Sequence, residues 1–249
     1  MDDSYSGFAY IYDRLMQDID YDAWVDYIEA IFDRCGVTPK LVLELACGTG
    51  NICCRMAQRG YDMIGIDLSQ DMLNVAVPKA EEKDLDILYL QQDMREFELY
   101  GTVDAVLCLI DSVNYITQEK DLIQVFKLVR NYLNPGGLFI FDINSAHKLK
   151  EIIGSNTFVV NEDDIFYVWE NNYDEKDEIC EFFLTFFVKE GRKYNRIDEY
   201  HREKAYSACV IKDCLKKAGL YLVDIYEPFS FQKPMEKSER IFFVAQRKD

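Results

Sequence analysis

The sequence predicts an α/β fold: a parallel sheet covered by helices, interrupted late in the chain by a small antiparallel β insertion. Three observations carry this. From residue 41 onward, short apolar runs alternate with amphipathic segments, the pattern of successive βα units. Four of these runs carry an acid at or just beyond their C-terminal ends: Glu44, Asp67, Asp93 and Asp111. Between residues 146 and 205 the rhythm changes to aromatic-rich stretches separated by turn residues, which suits hairpins.

Taken in order, the first 36 residues show no strand pattern. Phe8, Ile11, Tyr12 and Leu15 recur at helical spacing, as do Trp24, Tyr27, Ile28 and Ile31, so two helices precede the first strand. Pro39 marks the boundary, because its ring pushes the preceding residue out of helical geometry. The run at 41–46 is a buried strand that breaks into Cys47-Gly48-Thr49-Gly50, a loop in which a backbone bends sharply or approaches a ligand closely. A helix over 51–59 stops at Gly60, and a second strand over 61–66 ends at Asp67. Ser69 caps the next helix, with Asp71 in its first turn. Runs at 85–90 and 103–110 supply the third and fourth strands. A helix through Leu122, Val125, Phe126 and Val129 leads to the turn Asn134-Pro135-Gly136-Gly137 and a fifth strand over 138–143.

In the insertion, 165–169, 182–188 and 194–206 read as three antiparallel strands, with turns at 174–177 and 190–192. The core pattern resumes with a helix over 207–218, Gly219 as its stop, and strands over 220–226 and 240–246. The chain thus divides into N-terminal helices (1–36), a core (37–145 and 206–249) and the insertion (146–205).

Composition narrows the function. With 249 residues, 49% of them hydrophobic, the chain can bury a full core. A net charge of −17 argues against affinity built on phosphate neutralisation, which disfavours nucleic acid as a partner. Arg192, Lys193, Arg196, Arg202 and Lys204 are interleaved with acids and read as a solvated strand edge. No apolar run approaches the ~18 residues of a membrane helix, and Asp2 and Asp3 stand where a leader would be basic, so a cytoplasmic location is expected. The eight cysteines are scattered through apolar runs without CxxC spacing, and the histidines are only His147 and His201, so reduced thiols and no metal site are expected.

A glycine turn opening a helix is an anion site in many folds, and spacing decides which. The dinucleotide fingerprint needs a third glycine where Cys53 stands, which also opposes a nicotinamide-dependent oxidoreductase. The P-loop needs a lysine and a hydroxyl residue where Asn51-Ile52 stands. Asp67, roughly twenty residues past Gly48, fits a carboxylate that accepts both hydroxyls of a ribose. The ligand is therefore expected to carry an adenosine-type ribose and no pyrophosphate.

This combination resembles the class I S-adenosylmethionine-dependent methyltransferases. Glu44-Leu45-Ala46-Cys47-Gly48-Thr49-Gly50 is similar to that family's first motif, with Ala46 in place of the usual first glycine. Asp67-Leu68-Ser69 with Asp71-Met72-Leu73 resembles its ribose-binding motif, and Gln92-Asp93-Met94-Arg95 its adenine-contacting one. Leu133-Asn134-Pro135-Gly136-Gly137 matches the turn before its fifth strand. The resemblance narrows to a bacterial YqeM-like group through the stretches 10–16 with Trp24, 111–115, 141–145, 201–206 and 239–244. It implies a Rossmann-like sheet of seven strands, the last antiparallel, with helices on both faces. The insertion then forms a lid over the active site, and the N-terminal helices cap the cofactor.

The resemblance further implies S-adenosyl-L-methionine as cofactor, with S-adenosyl-L-homocysteine as product. The cofactor-binding candidates are Tyr12, Trp24, Glu44, Ala46, Cys47, Gly48, Gly50, Asp67, Leu68, Met72, Asp93, Met94, Arg95 and Leu109. Plainer roles stand beside these. Tyr12 and Trp24 occupy apolar helix faces that core packing would also explain, Glu44 could simply orient the glycine loop, and Asp93 and Asp111 could be caps.

Methyl transfer from a sulfonium is an in-line displacement that rests on positioning, and it needs a base only for a protonated acceptor. His201 is the candidate base, with Glu203 and Tyr206 as substitutes. Residues 195, 197, 199, 201, 203 and 205 share one face of the inserted strand, and either face could be inner. Asp111-Ser112-Val113-Asn114 follows the fourth strand, where N-methylating relatives carry an Asn-Pro-Pro-Tyr type motif. A small-molecule acceptor is the first expectation. An RNA or protein acceptor, or a binding protein without turnover, are the alternatives.

Overall fold

The computed structural model describes residues 8–162 and 164–249, so Asp2, Asp3 and the rest of the first seven residues lie outside the described chain. Helices α1 (Ala9–Leu15) and α2 (Tyr21–Cys35) come first. Asp20 caps α2 by accepting from the Ala23 amide at 3.0 Å, and Gly36 ends it at φ +66°. The βα series follows as β1 (Leu41–Leu45), α3 (Asn51–Gln58), β2 (Asp62–Asp67), α4 (Gln70–Glu81), β3 (Ile87–Gln91), β4 (Val103–Cys108), α5 (Glu119–Tyr132) and β5 (Leu133–Asn144). After the insertion come α6 (Ala208–Ala218), β10 (Tyr221–Tyr226) and β11 (Arg240–Gln246).

These strands form one seven-stranded sheet in the order β10-β11-β5-β4-β1-β2-β3. Its strands pair in parallel except β11, which runs antiparallel to both β5 and β10, as the resemblance implies. Each buried strand sends alternate residues to opposite faces. Leu43, Val106, Phe139, Phe141 and Phe243 join the cluster under α5 and α6, whereas Val42, Leu107, Ile140 and Phe242 join the one under α2 and α3. Strand order reverses between β1 and β4, which opens a crevice at their C-terminal ends.

The insertion is a separate antiparallel sheet of four strands, not three: β6 (Thr157–Asn161), β7 (Ile165–Asp174), β8 (Ile179–Glu190) and β9 (Lys193–Lys204). β6 escapes sequence detection because it is a five-residue edge strand that pairs only with β7. β9 stops at Lys204, so Tyr206 lies outside it. The turn after β7 is built as its composition suggests, with Asp174 Oδ1 accepting the amides of Lys176 and Asp177 at 2.8 and 3.1 Å. A π-helical segment, Lys148–Ile153, joins β5 to this sheet.

The two faces of β9 differ. Glu199, His201 and Glu203 are buried, while Arg196, Asp198, Tyr200 and Arg202 face outward, with Arg196 and Asp198 paired at 2.9 Å. The face carrying His201 is therefore the inner one.

Candidate active site

A cavity of about 920 Å³ lies between the C-terminal ends of β1, β2 and β4, helix α1 and the inner face of the inserted sheet. Every candidate named from sequence lines it except Gly50 and Tyr206: Tyr12, Trp24, Glu44, Ala46, Cys47, Gly48, Asp67, Leu68, Met72, Asp93, Met94, Arg95, Leu109, His201 and Glu203.

Its floor is the loop between β1 and α3. Ala46, Gly48 and Gly50 all take left-handed backbone, at φ +54°, +53° and +74°. Ala46 holds this conformation with a Cβ, at a cost of roughly 1 kcal/mol that tolerates alanine at the position. A Cβ on Gly48 would meet nothing within 4 Å, so the loop opens to the cavity there. Gly50 instead faces the protein, and a Cβ there would run into the Tyr89 hydroxyl.

Asp67 braces this loop. Its Oδ2 accepts from the Gly48 amide and its Oδ1 from the Ser69 amide, each at 2.8 Å. A carboxylate has about four acceptor positions, so the pair of oxygens retains capacity toward the cavity. Burial pulls its pKa above the usual carboxylate value, while the amides of Ser69, Gly48 and Leu68 pull it back. Burial also pushes Glu44 up to about 8, although Cys53 Sγ donates to its Oε2 at 2.8 Å. Cys53, where a dinucleotide site would have glycine, thus serves Glu44.

At the β3 end, Asp93 is gripped by the Arg95 guanidinium, whose Nε lies 2.9 Å from both carboxylate oxygens, and by the Arg95 amide at 2.8 Å. Burial would raise Asp93, but Arg95 outweighs it and holds the group below the usual range. The Asp93 carboxylate is therefore committed to Arg95, and Met94 lines the wall beside it.

Some residues that line or support the wall went unassigned from sequence. Asp13 of α1 receives Thr49 Oγ1 at 2.6 Å, Asn51 Nδ2 at 2.8 Å and Lys79 Nζ at 2.5 Å, which ties α1 to the glycine loop and to α4. Asp142, fully buried in β5, accepts the amides of Ile110 and Asp111 at 2.7 and 3.0 Å. Those two residues both stand at φ +55°, a conformation that needs such support. Arg240 of β11 bridges Asp142 and Asp111, the latter at 2.6 Å, and its guanidinium lies 5.5 Å from the Trp24 ring centre. Trp24 also packs on Phe229 and Phe242, so it is both core and cavity wall. The sequence signal for Asp142 and Arg240 was a charge set inside an apolar strand; nothing local named their partners.

The roof comes from the inserted sheet. His201 lies between the rings of Tyr115 and Phe8, at 5.8 and 6.5 Å, with its Nε2 3.9 Å from Glu199. Tyr206 is excluded as a base, because its hydroxyl donates to the Ile116 carbonyl at 2.5 Å and burial raises its pKa.

A methyltransferase-domain family profile matches residues 42–137. The chain is 39% identical over 245 residues to YqeM of Bacillus subtilis (strain 168), a candidate methyltransferase by its name, across 98% of this chain and 97% of that one. A crystal structure of an S-adenosylmethionine-dependent methyltransferase from Clostridium acetobutylicum ATCC 824 superposes with a TM-score of 0.91 at 36% identity, covering 98% of this chain and 99% of the other. Over 101 residues, 41% of each chain, identity is 31% to a dTDP-3-amino-3,4,6-trideoxy-alpha-D-glucopyranose N,N-dimethyltransferase from Streptomyces venezuelae.

Proposed function

Because the chain belongs to the YqeM-like group of class I methyltransferases, we propose that it moves a methyl group from S-adenosylmethionine to a small-molecule acceptor. The observation that carries this is Asp67, a buried carboxylate at the end of β2 that braces the open glycine loop and keeps acceptor capacity toward the cavity. The residues present fit such a cofactor. The cradle at Gly48 is open, acids line the β1 and β2 ends, and Leu68, Met72 and Met94 offer apolar surface between them. Bound there, S-adenosylmethionine supplies an electrophilic methyl carbon on a sulfonium.

In this reading Asp67 accepts the ribose hydroxyls, while Ala46, Cys47 and Gly48 shape the backbone around the cofactor's tail. Glu44 and Gly50 hold that loop in place, from beneath and from the α3 side. Leu68 and Met94 flank the adenine, Asp93 and Arg95 close the β3 end, and Met72 and Leu109 pack alongside. Tyr12 and Trp24 cover the cofactor from α1 and α2, so that the N-terminal helices act as its cap. The inserted sheet roofs the acceptor, and His201 and Glu203 of its inner face line the cavity and are able to take up an acceptor proton. Catalysis then rests on holding nucleophile, carbon and sulfur in line, which can supply ~7–11 kcal/mol.

The small-molecule reading is supported by the net charge of −17, which works against phosphate-rich acceptors, and by the amino-sugar relative. A cytoplasmic location belongs to the same reading, since all eight cysteines are free thiols. Among the described residues no helix is long and apolar enough to cross a membrane.

S-adenosylhomocysteine should raise the melting temperature of the protein and NADH should not. Asp67→Ala should abolish that shift while the protein stays folded. A shift with NADH alone would overturn the reading, and an undiminished shift in Asp67→Ala would remove Asp67 from the ribose site.

A further inference from the structure

Resting on the methyltransferase reading, we propose that Glu203 takes up the acceptor's proton, and that the acceptor is an uncharged flat-ring compound whose nucleophile is a hydroxyl or amino group. Glu203 lies on the inner face of β9, is 2% exposed and lines the cavity. It sits where β4 and β5 end, against Asp111 and Asn144, across the cavity from Asp67 and Asp93.

One of its oxygens is held and the other is not. Oε2 accepts Asn144 Nδ2 at 2.9 Å. The orientation of that amide is set on its far side, where Asn144 Oδ1 accepts Lys148 Nζ at 2.9 Å and Arg240 Nη2 at 3.3 Å. Oε1 accepts no hydrogen bond from the described residues and is not sealed off from the cavity. A carboxylate fixed by one oxygen and open at the other is the arrangement a proton acceptor requires.

The surroundings define the molecule that would fit. Arg240 and Lys148 are balanced by Asp111 and Asp142, so with Glu203 protonated this end of the cavity presents no net charge to hold an ionic acceptor. The roof is apolar and aromatic at this end, with Trp169 and Phe182 packed edge to face at 5.5 Å and Leu184 beside them. Such walls suit a flat ring.

The acceptor's lone pair forms the new bond to the methyl carbon as the carbon–sulfur bond breaks. That bond's electrons remain on sulfur as a neutral thioether, and the acceptor's proton passes to Glu203 Oε1. Burial and the Asp111 carboxylate push the Glu203 carboxyl well up, against the pull of Asn144, Arg240 and Lys148. The base is thus ionised only toward higher pH, and the transfer rate should rise with pH through its titration. The titratable and charged groups around it are Asp111, Lys148 and Arg240, with Cys180 opposite it on β8, His201 two residues along the same face of β9, and Asp142 behind Arg240.

The test supplies the full-length protein with S-adenosylmethionine labelled in the methyl group and, separately, catechol, aniline and N,N-dimethylaniline. Catechol or aniline should be labelled and N,N-dimethylaniline should not, since it has no proton to give. Glu203→Gln should lower the rate by ~100-fold or more and flatten its rise with pH, with S-adenosylhomocysteine affinity by calorimetry unchanged. His201→Asn should keep the rise. Lys148→Met, at a less buried position, should move the rise to higher pH by removing a stabilising cation. Label in none of the compounds, equal label in N,N-dimethylaniline, a wild-type rate in Glu203→Gln, or an unmoved profile in Lys148→Met would each overturn the proposal. Loss of S-adenosylhomocysteine binding by the wild-type protein would instead overturn the methyltransferase reading beneath it.

Discussion

Asp13 ties α1 to the glycine loop, to the start of α3 and to α4 through one carboxylate, and its partners Thr49, Asn51 and Lys79 lie 36, 38 and 66 residues away. Burial would raise its pKa, but these hydrogen bonds outweigh it and hold the group below the ordinary value of 3.8. Its stabilisation is therefore present above that ordinary value and lost as pH falls through the lowered one. Asp13→Ala leaves the half-buried Lys79 ammonium uncompensated and should cost about 1–3 kcal/mol in urea unfolding at neutral pH. It should also weaken S-adenosylhomocysteine binding in calorimetry, because α1 carries Tyr12 into the wall. Asp13→Asn should show less acid sensitivity than wild type below about pH 4. Asp67 was legible in sequence because strand end, spacing and glycine loop are all local features. Asp13 was not, because nothing in its own helix announces partners so far along the chain.

At the scale of elements, the inserted sheet is a unit with its own apolar contacts. The two large clusters of the seven-stranded sheet contain no residue from β6 to β9, whose buried side chains belong to the smaller clusters with α1, α4 and the π-helical segment. Replacing residues 156–204 by a short flexible linker should therefore leave a folded core that binds S-adenosylhomocysteine within roughly tenfold of wild type. It should lose acceptor methylation altogether. An unfolded product, read by circular dichroism, would mean that the insertion is part of the core. Three of its strands were visible as aromatic runs. The fourth was missed because an edge strand of five residues needs only one partner, and the inner face stayed undecided because an alternating strand offers two faces until its neighbours are placed.

Across the whole molecule, Arg240 connects regions that sequence keeps far apart. It sits in β11, pairs with Asp142 of β5 and Asp111 beyond β4, and stacks on Trp24 of α2. Arg240→Met should cost roughly 3–5 kcal/mol, since it leaves the fully buried Asp142 carboxylate without its counter-charge. Thermal unfolding would read this as a fall of about 10 °C. Asp142→Asn in the same background should recover part of the loss; no recovery would place the cost in lost packing on Trp24 instead.

The chain's own pattern was enough for the order of strands and helices in the seven-stranded core, the glycine loop, the acids at the strand ends and the ligand class that these suggest. Each depends on backbone geometry and periodicity within a few residues. Tertiary structure alone decided which face of β9 looks inward, that Tyr206 is spent on a carbonyl, that Gly50 packs against Tyr89 rather than lining the cavity, and that Glu203 keeps one oxygen open. Those features depend on pairing register and on partners brought together from distant segments, so they exist only once the two sheets and the helices are packed.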